Sequence, residues 1–187
     1  MTRFVIIHGN GGGTADDHWQ PWLKHELERL GHEVIVPTMP DNTEAKAAVW
    51  LPYMKRELAI DEQTIVIGHS SGAVAAMRYA EQNKIKGSIL IGACYTDLGE
   101  ESEKVSGYYD DEWNWRAIKN NQDFVVVIAS SDDPWIAIDE PRHIYQSIGA
   151  EYHEYVDKGH FTEEHIGGKE FPELFNIIMS RVDYMHE

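Results

Sequence analysis

The segment Thr64–Ala80, TIVIGHSSGAVAAMRYA, changes character at residue 68. Its first part, Thr64–Gly68, is short, apolar and unalternating, as in a strand buried on both faces. Its second part carries Gly72, Ala73, Ala75, Ala76 and Ala80, which reads as a helix of small residues. Between them lies Gly68-His69-Ser70-Ser71-Gly72, a G-x-S-x-G turn. A serine on a sharp strand-to-helix turn projects its hydroxyl into a cleft. The residues two before and two after it approach each other closely, so glycine suits both places. The Ser71 amide, opening the helix, then faces developing negative charge with the helix dipole behind it. The plain alternative is an ordinary tight turn. Ser71 lacks the flanking glycines and is the weaker nucleophile.

The same alternation runs outward in both directions. Strands are expected at Arg3–His8, Glu33–Pro37, Gly87–Ala93, Asp123–Ala129 and Glu151–Val156, making six with Thr64–Gly68. A helix over His18–Leu30 would turn Trp19, Trp22, Leu23, Leu27 and Leu30 inward and stop at Gly31. Thr43 looks like the N-cap of a helix to about Leu58, kinked or broken at Pro52. Further helices are expected at about 113–120, 140–147 and 170–184. Six strands separated by helices imply parallel pairing through right-handed crossovers. The expected architecture is α/β, a three-layer α/β/α sandwich, in one domain over 1–187. Only the connection Cys94–Glu112 is long, with no clear element of its own, and long loops are often functional. Reactive groups in such folds gather beyond the carboxyl ends of the strands.

Composition narrows the partners. The 187 residues carry 16 Lys and Arg against 32 Asp and Glu, a net charge of −16, which repels phosphate backbones and anionic lipids. Neither nucleic acid nor membrane is expected as a partner. Cys94 is the single cysteine, so no intrachain disulfide forms, and a cytoplasmic location is expected. The apolar run Phe4–Ile7 is too short for a signal-peptide core. No H-E-x-x-H or paired His/Cys spacing is present, so neither a metal nor a cofactor is expected.

Three more groups sit where strands should end. His8-Gly9-Asn10-Gly11-Gly12-Gly13 follows the first strand. A dinucleotide fingerprint would need Gly or Ala at Thr14 and an acidic end to the second strand, which instead reads Val36-Pro37. The loop fits an oxyanion site in which a backbone amide, that of Asn10 first, faces a substrate carbonyl. A structural glycine turn and an anion-binding nest are the alternatives. A serine needs a base. Of ten histidines, His18, His25 and His32 are placed by the first helix, His186 by the tail and His69 by the elbow, where its ring should point away from Ser70. His160, in Gly159-His160-Phe161 after the last strand, is the candidate, with His165 in reserve. In Ser130-Ser131-Asp132-Asp133-Pro134, Asp133 is held extended by the proline, while Asp132 suits a turn cap. Ser70, Asp133 and His160 follow strands three, five and six, in the order Ser…Asp…His that α/β-hydrolases use.

The chain resembles the α/β-hydrolase family that includes the retinoblastoma-binding protein nine serine hydrolases and their small bacterial relatives. GNGGG (9–13), WLP (50–52), GHSSGA with AAMRYAE (68–81), DLG (97–99), SGY (106–108), the Asp132-Asp133-Pro134 turn and GHF (159–161) carry the likeness. The resemblance implies Ser70 as nucleophile, Asp133 as orienting acid, His160 as base, and oxyanion amides at Asn10 and Ser71. It also implies a compact α/β-hydrolase sheet without the two leading strands of larger relatives, in the order 2-1-3-4-5-6. One departure matters. The vertebrate member binds a tumour-suppressor pocket protein through L-x-C-x-E, but the corresponding place here reads Leu58-Ala59-Ile60-Asp61-Glu62. Ile60 stands for the cysteine, so that partner is not expected.

The expected activity is therefore a serine hydrolase, esterase- or amidase-like, acting on a small acyl substrate, since nothing present could enclose a long one. A thioesterase on the same site, or an interaction protein with an idle triad, are the alternatives. Trp113, Trp115, Tyr108, Tyr109 and Trp135 either line a small apolar pocket or simply cover the sheet edge.

Overall fold

The computed structural model describes residues 1–183. Six strands form one parallel sheet: β1 (Arg3–Ile7), β2 (Glu33–Ile35), β3 (Thr64–His69), β4 (Gly87–Ile91), β5 (Phe124–Ser130) and β6 (Glu151–Tyr155). Their spatial order is β2-β1-β3-β4-β5-β6, the order the resemblance implied. The chain thus has the α/β-hydrolase fold. Every residue of β3 is buried, which is why its sequence does not alternate; β6, on the sheet edge, is mostly half-exposed.

Successive strand residues feed opposite layers. Val5, Ile7, Val66, Leu90 and Val127 face one layer, with Trp50 and Met54 of α2 (Ala47–Arg56), the small residues of α3 (Ser71–Gln82), Ile118 of α5 (Trp115–Asn120) and Ile144 and Ile148 of α6 (Asp139–Ile148). Phe4, Ile6, Ile65, Ile67, Ile89 and Ile128 face the other. There they meet Leu23 and Leu27 of α1 (Gln20–Arg29) and Leu174 and Ile178 of α8 (Pro172–Asp183). Alanines on α3 bring its axis close to the sheet, so the turn before it is held tightly.

Several elements differ from expectation. Thr43 is not an N-cap: residues 40–44 form turns, and α2 starts at Ala47 after Lys46. The delay has a cause in Asp41, whose carbonyl accepts from Ala45 N–H at 2.7 Å and whose carboxylate accepts from Lys46 N–H at 3.3 Å. The helix continues through Pro52, which only leaves the Ala48 carbonyl without its usual donor. Leu30 lies beyond the end of α1 and is 46% exposed rather than inward. The 94–112 connection contains the four-residue helix α4 (Glu101–Lys104), and α7 (Glu163–Ile166) follows the sixth strand. The last residue of the helix expected at 170–184 lies outside the described residues, as does His186. Among the described residues, no helix is long and apolar enough to cross a membrane.

Candidate active site

Ser70 sits between β3 and α3 with φ 55° and ψ −122°, a backbone conformation that L-residues rarely adopt. Its surroundings impose that strain. The Ser70 N–H donates to the Ile91 carbonyl at 2.9 Å, while its carbonyl accepts from Ala73 N–H at 2.8 Å to open α3. The two glycines of the turn are required by contact rather than by φ. A Cβ on Gly68 would lie 2.5 Å from Ala73 N, and one on Gly72 would lie 2.7 Å from the His8 carbonyl oxygen. Both neighbours are main chain and cannot move aside.

The imidazole of His160 is buried and donates from Nδ1 to Asp133 Oδ2 at 2.7 Å. The other carboxylate oxygen, Oδ1, accepts from Trp135 N–H at 2.9 Å and Ile136 N–H at 3.0 Å, which fixes the carboxylate plane. With Nδ1 carrying hydrogen, a neutral His160 leaves Nε2 as a bare acceptor. Gly92, just beyond β4, makes room for this pair: a Cβ there would lie 3.0 Å from His160 Cε1. Of the two aspartates in the turn, Asp133 is thus the one that meets the histidine. Asp132 instead holds the loop together, accepting from Ser130 Oγ at 2.5 Å and from Gly159 N–H at 2.9 Å. The Ser130 hydroxyl lowers the Asp132 pKa below the usual carboxylate value.

Ser70 and His160 open onto one cavity of about 370 Å³, lined also by Gly9, Asn10, Gly13, Asp17, His18, His69, Trp135 and Thr162. Gly9 lets the loop after β1 lie directly on the nucleophile candidate, since a Cβ there would be 3.1 Å from Ser70 Cβ. The N–H groups of Gly11 and Gly12 bond to the Thr43 and Asn42 carbonyls at 3.0 Å each. No partner for the Asn10 or Ser71 N–H is found among the described residues. The Asn10 side chain is anchored separately, donating from Nδ2 to Glu103 Oε1 on α4 at 2.7 Å. Tyr109 OH donates to the other Glu103 oxygen at 3.2 Å and lies 3.1 Å from Cys94 Sγ. Burial pushes the Cys94 thiol up to about 12, so it stays protonated.

Three of the histidines around the site are disfavoured as cations by their surroundings. Burial lowers the His8 and His18 pKa values below 6.5, and burial with the nearby His160 takes that of His69 well below it. His8 is pinned as one tautomer: Nδ1 donates to the Gly9 carbonyl at 2.6 Å and Nε2 accepts from Met39 N–H at 2.9 Å. The His69 ring has a partner of its own, the His160 carbonyl, at 2.8 Å, and it lines the same cavity as Ser70. His165 is not a second base candidate, because its Nδ1 accepts the His160 N–H at 3.0 Å.

The aromatic cluster divides. Trp135, 60% exposed, lines the cavity with its ring 4.8 Å from that of His160. Trp113 and Trp115 stack on each other at 5.3 Å, and the Arg78 guanidinium sits 3.6 Å over Trp113. Arg78 also donates to the Tyr108 and Asp111 carbonyls at 2.7 and 2.6 Å, and Tyr108 is buried. These residues of the 108–115 stretch pack the long connection onto α3; they do not line the cavity with Ser70. Asp17, His18 and Thr162 do line it and were not singled out from the sequence. His18 resembles a surface helix residue in the sequence, but α1 starts only at Gln20, and His18, with φ 52°, accepts from Glu163 N–H at 3.2 Å.

The chain matches a family model described as serine hydrolase over residues 4–180. It is 40% identical over 181 residues to the serine hydrolase RBBP9 of Rattus norvegicus, covering 96% of this chain and 95% of that one. The crystal structure of the ydeN gene product from Bacillus subtilis superposes with a TM-score of 0.89 at 24% identity, covering 98% of this chain and 100% of that one. A meta-cleavage product hydrolase from Pseudomonas fluorescens IP01 gives 0.72 at 16% identity, covering 100% and 92%. The two structures speak to the fold alone.

Proposed function

The chain belongs to the serine hydrolase family, and from that premise we propose that it cleaves small acyl substrates, carboxylic esters or short amides, through Ser70, His160 and Asp133. The observation that carries this reading is the shared cavity: a strained, hydroxyl-bearing elbow and a histidine already bonded to a buried carboxylate face the same 370 Å³ space. In this reading Ser70 Oγ attacks the substrate carbonyl carbon while its proton passes to His160 Nε2. The Asp133 carboxylate stabilises the imidazolium that forms. The Asn10 and Ser71 N–H groups, the latter at the positive end of α3, receive the oxyanion, each donor contributing about 3 kcal/mol to transition-state stabilisation. Collapse breaks the bond to the leaving group, which takes the proton from Nε2. A water then repeats the sequence on the acyl-enzyme and releases the acid and free Ser70.

The cavity's size favours short acyl groups. A panel of p-nitrophenyl esters of increasing chain length, with an oxoester and thioester pair of equal acyl length, tests the proposal. Turnover should be highest for short acyl chains, vanish in Ser70→Ala and survive in Ser71→Ala. Preference for long chains, or for the thioester, would overturn the substrate assignment; full turnover by Ser70→Ala would overturn the mechanism.

A further inference from the structure

Both backbone groups of His160 are held by other histidines. Its N–H donates to Nδ1 of His165 at 3.0 Å, and Nε2 of His69 donates to its carbonyl at 2.8 Å. A main-chain N–H only donates and a carbonyl only accepts, so these partners fix the protons. His69 carries hydrogen on Nε2, and His165 must keep Nδ1 bare. The seat of His165 is close-fitting. A Cβ on Gly159 would lie 2.6 Å from its Cγ, and its ring lies 5.6 Å from that of Trp135. The chain on either side of His160 needs such support. Gly159 and Phe161 have φ of 47° and 57°, and for Phe161 that conformation is intrinsically unfavourable.

We propose that His165 is a positioning residue for the base: its unprotonated Nδ1 clamps the His160 main chain opposite His69, and a proton on His165 disarms the site without touching the triad. A protonated Nδ1 would set two donors face to face, and His160 would lose one of its two backbone anchors. His165 meets the Trp135 ring, the His160 main chain and the charge of His18 from the segment before α1, and it shares the short helix α7 with Glu163 and Glu164. The proposal rests on the hydrolase reading, and its test is built to separate the two.

Asparagine can present Oδ1 near the place of imidazole Nδ1 and never takes a proton there; leucine offers no acceptor. The kcat and KM for a short p-nitrophenyl ester are measured between about pH 5 and pH 8 for wild type, His165→Asn and His165→Leu, with Ser70→Ala as the blank. At the upper end, His165→Leu should lose about tenfold in kcat with KM unchanged, and His165→Asn should stay within about threefold of wild type. On acidification, wild type should fall more steeply than His165→Asn, which has one proton fewer to take up. Equal losses in the two variants, or acid limbs of equal steepness in wild type and His165→Asn, would overturn the proposal. If His165→Leu does not fold, the acid-limb comparison still decides. Wild-type turnover by Ser70→Ala would instead sink the hydrolase reading itself.

Discussion

Replacing Asp133 by asparagine changes one atom and should nearly abolish turnover, for a reason set by the backbone around it. Asp133 Oδ1 accepts from two main-chain N–H groups, those of Trp135 and Ile136 at 2.9 and 3.0 Å. An amide in the same place must keep its oxygen toward these donors, since turning the NH₂ there would set it against both N–H groups. The NH₂ therefore falls where Oδ2 now meets His160 Nδ1 at 2.7 Å. Facing a donor, Nδ1 must become an acceptor, and the ring proton moves to Nε2. A ring protonated at Nε2 cannot take the Ser70 proton. The loss expected from a histidine fixed in the wrong tautomer is about 10⁴ in kcat, or about 5.5 kcal/mol of barrier. Fold and binding should survive, because shape and the two main-chain bonds are kept. Steady-state kinetics on a short ester, with a thermal melt as control, make the measurement. A kcat for Asp133→Asn within tenfold of wild type, at unchanged melting temperature, would refute the reasoning.

Three further outcomes are expected. Gly72→Ala would drive a Cβ into the Ile7 and His8 carbonyls and should cost about 3 kcal/mol, read by urea unfolding; a loss below about 1 kcal/mol would mean that the elbow is not so tightly held. Glu103→Ala removes the anchor of the Asn10 side chain and should lower kcat about fivefold with little change in KM, while Glu103→Gln keeps an acceptor and most of the activity. The buried His69 has its pKa held below 6.5 in the folded chain, so the unfolded chain binds the extra proton first on acidification. Stability from this source is therefore full above about pH 6.5 and declines below it, by at most about 1.4 kcal/mol per pH unit. Urea midpoints across that range should show less decline in His69→Gln, which retains a donor but does not titrate; an identical decline would count against the assignment.

The parts legible in the sequence are those encoded locally. Thr64–His69 announces a central strand because burial on both faces removes alternation, and Gly68 and Gly72 announce the elbow because a Cβ at either collides with main chain. Asp133 could be preferred to Asp132 from the proline after it, and the structure gives it the histidine. What could not be read depends on contacts between distant segments. Ala45 takes a positive φ of 54° because Asp41 holds the turn, and this delays α2 beyond Thr43. The aromatic residues near position 113 look like pocket lining until the buried Arg78 is seen to gather the stretch onto α3. Asn10 and Glu103 lie 93 residues apart, and His69 and His160 lie 91 apart, so no local pattern announces either bond.

The central claim is that Ser70 is an activated nucleophile. Labelling the protein with a fluorophosphonate probe and locating the adduct by peptide mass spectrometry tests it most directly. The account predicts a single phosphonylated residue, Ser70, with labelling lost in Ser70→Ala and His160→Ala and retained in Ser71→Ala. An adduct on Ser71 or elsewhere, or no adduct on a folded protein, would contradict it.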